Sequence, residues 1–197
     1  MRHGWIYSYE SPPAEERCEE LLDYFATRGI SLAEPESGRV IRLSGLGEQI
    51  SSSKEDILSH CKTDQDLSFN VYLGPSDNIF CAFHKINADL VRESYSLDGK
   101  TEQQSIFVIK ILADLFAIRA KNRLAIAFVA DKYAELHPNF HWDDFILGAT
   151  TPHEWPIAMA FSKSFKRLSN VPSGYQARDS GTHILFTSDT VDWGPTT

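Results

Sequence analysis

The sequence predicts an α+β fold, a mostly antiparallel sheet packed on one long central helix, and three features carry that prediction. From Leu67 to Leu73, Phe69, Val71 and Leu73 alternate with polar or amphipathic neighbours, the period-2 pattern of a strand with one face in a core. Gly74-Pro75-Ser76-Asp77-Asn78 turns the chain and Ile79 to Ile86 returns, which makes a β-hairpin; Leu90 to Ser96 extends it into a meander before Asp98-Gly99 ends the run. Thr101-x-x-Gln104 is then a capping box. It opens the longest helix, in which Ile106, Ile109, Leu112 (or Ala113), Phe116 and Ala120 recur every three or four residues.

The remaining elements follow in order. Residues 4–9 are aromatic and β-branched, and they form a strand that stops at Ser11-Pro12-Pro13. Ser11 caps the next helix, with Pro12 at its first position; the helix runs to about Arg28 with Cys18, Leu21, Leu22 and Phe25 at core spacing, and Gly29 supplies the left-handed turn beyond it. A strand at 39–43 leads through Gly45-Leu46-Gly47 to Ser52-x-x-Glu55, a second capping box that opens a short helix ending near Cys61. The apolar arc of the long helix is widened by Phe107, Val108, Ile111, Leu115 and Ile118, so cover on more than one side is expected. Leu124 to Val129 reads as a buried strand or a helix start, between which periodicity does not decide, with strand preferred; Pro156 to Phe161 reads as a buried strand and His183 to Thr187 as the last. No fixed-period repeat, low-complexity tract or linker divides the chain, so residues 1–197 are read as a single α+β domain.

Composition bounds the function. A chain of 197 residues, 42% hydrophobic and 23% charged, has globular proportions and enough length to bury roughly 70% of its unfolded surface. Its formal charge of −8 disfavours sequence-independent nucleic-acid binding, since an acidic surface repels phosphate, and favours a basic protein partner. The most apolar stretch, Ile106 to Ala120, is interrupted by Lys110, Asp114 and Arg119, and MRHGWIYSYESPP has no apolar run of signal-peptide length; the expectation is a cytoplasmic protein without a membrane span. Cys18, Cys61 and Cys81 form no C-x-x-C pair and read as reduced, structural thiols.

Candidate chemistry concentrates in one stretch, His137-Pro-Asn-Phe-His141-Trp142-Asp143-Asp144-Phe145, closed by His153-Glu154-Trp155. His137 and His141 have the i, i+4 spacing that places two imidazoles on one helix face, and His153 with Asp143 or Asp144 would complete a metal shell for a hydrolase. Pro138 argues against it, because it pushes His137 into extended backbone and starts any helix after it, while Pro152 and Pro156 confine the second half to one turn. Two readings compete with the metal. Trp142, Phe140, Phe145 and Trp155 are core aromatics, or Trp142, Asp143, Asp144, Glu154 and Trp155 form a recognition surface whose aromatics give contact area and whose carboxylates match a basic partner. The run Glu15, Glu16, Glu19, Glu20 on the first helix is a solvated face or a further part of such a surface.

No dinucleotide fingerprint, phosphate loop or G-x-S-x-G elbow occurs, no cofactor is implied, and elimination leaves a non-catalytic protein-binding domain ahead of a metal-dependent hydrolase. In size, acidity and coarse element order the chain resembles the immunity proteins that neutralise bacterial toxins. The resemblance implies a basic toxin as partner and carries over no functional residue.

Overall fold

The structure is a computed structural model that describes residues 4–11, 14–62, 66–121, 125–131, 141–152, 155–163, 165, 171, 174–179 and 181–188. In chain order its elements are β1 (Trp5–Glu10), α1 (Ala14–Thr27), β2 (Val40–Leu43), β3 (Gln49–Ser52), α2 (Lys54–Lys62), β4 (Leu67–Gly74), β5 (Asp77–Asn87), β6 (Leu90–Ser96), α3 (Glu102–Lys121), β7 (Ala125–Asp131), α4 (Trp142–Leu147), β8 (Ala158–Ser162), β9 (Tyr175–Asp179) and β10 (His183–Ser188). The fold is α+β, and its strand pairs are antiparallel. The chain forms two compact units, one of residues 11–96 and one of residues 1–10 with 97–197.

In the first unit the strands run β3-β2-β4-β5-β6. The predicted hairpin is β4–β5, and its register pairs Phe69 with Cys81 and Val71 with Ile79, while Cys81 in turn pairs with Tyr95 of β6. Partners across an antiparallel ladder share a face, so these five side chains form one buried layer. Helix α1 covers it, with the Phe25 ring meeting the Tyr95 ring edge-on at 6.3 Å. Cys18, Leu21, Leu22 and Phe25 are all buried, as their spacing predicts, and Gly29 ends the helix in the left-handed region at φ +75°. Helix α2 packs beside α1 and closes on β4 through buried Ile57 and Cys61.

The second capping box lies one residue later than the sequence pattern suggests. Ser53 Oγ accepts the Asp56 amide at 3.0 Å and the Asp56 carboxylate accepts the Ser53 amide at 3.1 Å. Ser52 is unavailable because it pairs with Val40 in the β2–β3 hairpin. At α3 the expected box forms at Thr101: its amide donates to Gln104 Oε1 at 2.8 Å, and its hydroxyl accepts the Gln104 amide at 3.2 Å.

In the second unit the strands run β1-β7-β8-β10-β9 and carry a helix on each face. On one face Phe116 of α3 packs against Phe128 of β7 at 5.7 Å and edge-on against His183 of β10 at 5.0 Å. Successive strand residues point to opposite faces, and Phe161, paired with Ala127, belongs to the other face. There Phe145 of α4 meets Phe161 at 6.0 Å. Leu112, Leu115, Phe116 and Ala120 of α3 are buried, but Ile106, read from spacing as core, is 43% exposed. At 100° per residue it lies more than about 100° round the helix from Leu112, Leu115 and Arg119, which centre the buried arc. No helix among the described residues is long and apolar enough to cross a membrane.

Candidate partner-binding surface

The aromatic and acidic stretch is built largely as packing. His141 is extended (φ −117°, ψ 125°) and exposed, gives α4 no side-chain cap, and leaves Trp142 to begin the helix; Gly148 ends it in the left-handed region at φ 95°. Trp142 is buried, and its indole Nε1 donates to Asp131 Oδ2 at 2.8 Å. Asp143 accepts the Tyr9 hydroxyl at 2.7 Å. Between them Phe145 is fully enclosed by the rings of Trp142, Trp155, Phe161 and Phe165, at centroid distances from 5.6 to 6.0 Å. Such edge and tilted contacts are the arrangement that aromatic quadrupoles favour. Trp155 and Asp144 are half-buried. His137, His153 and Glu154 lie outside the described residues, as do Pro138 and Phe140.

The structure therefore brings Trp142, Asp143, Phe145 and Trp155 together against the sheet, and adds two residues the sequence did not mark, Tyr9 and Asp131. Tyr175 joins the same neighbourhood: its hydroxyl donates to the Pro156 carbonyl at 2.7 Å, and burial, reinforced by the Asp131 charge, pushes its phenol up to about 12. Among the described residues no group of three or more His, Cys, Asp or Glu could hold a metal ion.

Charge is distributed unevenly. Residues 11–96 carry 15 acidic against 8 basic side chains, a formal −7, whereas the other unit carries 12 against 11, a formal −1. Within the acidic unit, Glu16, Glu19 and Asp23 are exposed along α1 at i, i+3 and i+7 spacing, and Glu55 and Asp56 are exposed on the first turn of the adjacent α2. Lys54 sits among them. Its ammonium donates to Asp23 Oδ1 at 2.7 Å, and that bond, with the Asp23, Glu19 and Glu55 charges, holds its pKa above the ordinary value against the opposing effect of burial. One lysine thus reads the field of carboxylates from two helices. The sequence marked Glu16 and Glu19 on α1, whose face Asp23 continues one turn on, but Glu55 and Asp56 join this surface only through α1–α2 packing.

Beneath the same helices the three cysteines converge. All are free and buried, and the Cys18 thiol is pushed far up by its hydrogen bond with Cys61, by burial, and by the Cys61, Glu93 and Cys81 charges. Cys81 is raised by burial and by Glu93. Thiols so held are protonated and poorly nucleophilic. In the other unit Glu10 and Arg119, both almost fully enclosed, form an ion pair at 2.9 Å, with the Ser8 hydroxyl also donating to Glu10 at 2.9 Å. Comparison with protein-family models, curated proteins and solved structures returns no match.

Proposed function

We propose that this chain is a non-catalytic protein-binding domain whose acidic α1–α2 layer receives a basic partner protein, in the manner of an immunity protein that masks a basic bacterial toxin. The observation that carries the reading is the segregation of charge: nearly all the net negative charge belongs to residues 11–96, and exposed Glu16, Glu19, Asp23, Glu55 and Asp56 lie on two packed helices. A rigid array of like charge raises the encounter rate with an opposite patch and suppresses wrong partners. Its own repulsion is a cost to the fold, partly offset by Lys54, that a recognition role accounts for.

The 142–155 stretch contributes less than its composition suggests. Trp142 and Phe145 are occupied with the core and Asp143 with Tyr9, so Asp144 and Trp155 are the members with area left for contact. The experiment is inhibition of a basic nuclease-type toxin domain, beginning with one encoded beside this chain, measured alongside calorimetric titration. Stoichiometric inhibition, weakened at least about tenfold by Glu19→Gln/Asp23→Asn/Glu55→Gln with the fold intact, supports the reading; tenfold corresponds to about 1.4 kcal/mol, a modest loss for several interfacial charges. Tight binding unchanged by the triple variant would move the surface elsewhere, and a turnover activity of the chain itself would replace the reading.

A further inference from the structure

The outer side of α3 is unlike the rest of the surface. Ile106, Phe107 and Ile118 are 43–45% exposed, and with exposed Ala117 they make an apolar strip along a helix of 20 residues, about 30 Å long. Exposed Lys110 and half-buried Asp114 stand at its middle, and neither makes an ion pair among the described residues. A helix polar on its outer side is what a surface helix ordinarily presents. Here the wide apolar arc read from the sequence exceeds what the sheet covers.

We infer that this strip is a self-association surface, on which a second copy of the chain packs its α3 antiparallel to the first about a two-fold axis between residues 112 and 113. The sequence of the strip is complementary to its own reverse. In an antiparallel pair centred there, residue i lies level with residue 225 − i of the other copy, so Phe107 meets Ile118 and Lys110 lies within about one residue's 1.5 Å rise of Asp114. On a helical wheel at 100° per residue Phe107 and Ile118 fall on the same flank, about 20° apart, which a two-fold perpendicular to both helices requires of residues that touch. The axis repeats each contact. Two Phe–Ile contacts flank two Lys–Asp pairs, the arrangement of an isologous interface.

Charge selects this occupant over a basic protein. The strip carries Lys110 and Lys121 against Asp114, and so offers a basic surface no net attraction. The unit that bears α3 has a formal charge of −1, against −7 for residues 11–96. Two copies can therefore approach through this unit without the self-repulsion that opposes every approach through the acidic one.

Sedimentation equilibrium of the full chain tests the inference, with circular dichroism and thermal melts confirming that each variant folds. A concentration-dependent dimer is expected. Phe107→Glu should weaken it by roughly 30-fold or more, the loss of one interface hot spot that the two-fold presents twice. Lys110→Asp places like charges opposite each other and should also weaken it, whereas Lys110→Asp/Asp114→Lys should restore it, a rescue that a merely structural role would not give. A mixture of Phe107→Cys and Ile118→Cys chains should cross-link between positions 107 and 118. Monomer mass up to about 1 mM, the weak limit of specific association, would overturn the inference. So would a dimer indifferent to Phe107→Glu, or cross-linking only between two copies of position 107.

Discussion

Replacing Trp142 by alanine should unfold a substantial part of this protein's stability, although the residue lies in the stretch whose sequence most invites a binding experiment. Trp142 is 5% exposed, touches Phe145 edge-on at 5.7 Å and donates to Asp131 at 2.8 Å. A buried aromatic removes about 150–250 Å² from water, worth about 4–6 kcal/mol at about 25 cal/mol per Å². Alanine retains a small part of that, so the expected cost is about 3–5 kcal/mol. Losing a bond to a carboxylate would add about 1.5 kcal/mol if nothing replaced it, and this places the result toward the upper end. Against a total of about 5–15 kcal/mol the loss is severe. Equilibrium urea unfolding followed by far-ultraviolet circular dichroism and tryptophan fluorescence measures it, and Trp142→Phe, which keeps most of the area and loses the bond, should cost about 1–2 kcal/mol. A cost below about 1 kcal/mol for Trp142→Ala would refute the packing argument and return the indole to the surface.

Other expectations follow from buried polar groups. Glu10→Gln leaves the Arg119 guanidinium enclosed without its anion and should cost about 3–5 kcal/mol, while Glu10→Leu/Arg119→Leu should recover most of it; equal losses in both variants would deny the coupling. His183 should make the fold acid-sensitive. Burial lowers its pKa, partly opposed by the bond from Nε2 to the Ala125 carbonyl at 2.9 Å. The neutral ring is the folded form, so its contribution is complete above the ordinary value of 6.5 and is lost as pH falls from there through the depressed folded value. Unfolding midpoints across that window should fall in the native chain and flatten in His183→Asn, and parallel curves would exclude His183 as the cause. Thr101→Ala should cost about 1 kcal/mol by removing half of the α3 capping box, measured in the same denaturation assay; no change would show that the box is replaced by solvent.

Much of the framework was legible because its signals are local. The alternation of Phe69, Val71 and Ile79, the reciprocal box at Thr101 and Gln104, and Gly29 beyond α1 each depend on residues within one element or one turn. Two strands escaped for the opposite reason. Gln49–Ser52 and Tyr175–Asp179 are largely exposed edge strands with no apolar alternation, and each is defined by pairing with its neighbour. The Ser51-Ser52-Ser53 run likewise offers several caps, and strand pairing decides that Ser53 serves.

The candidate site was legible in composition but not in orientation. Nothing near Trp142 announces that its indole will find Asp131, 11 residues earlier, or that Asp143 will meet Tyr9 across 134 residues. Pro138 weighs against a His137–His141 metal pair by acting on its immediate neighbour, and both His137 and Pro138 lie outside the described residues. The acidic surface had the converse history: Glu16 and Glu19 stood out on α1, and only packing against α2 showed that they share it with Glu55 and Asp56.

The association rate with a basic toxin-type partner, measured by stopped flow across ionic strength, tests the proposed function most directly. An acidic α1–α2 receptor predicts fast association that slows steeply with salt, and a slope flattened by Glu19→Gln/Asp23→Asn/Glu55→Gln, because steering depends on the summed field and is screened over about 10 Å at 0.1 M. A rate insensitive to both salt and these substitutions would contradict the account.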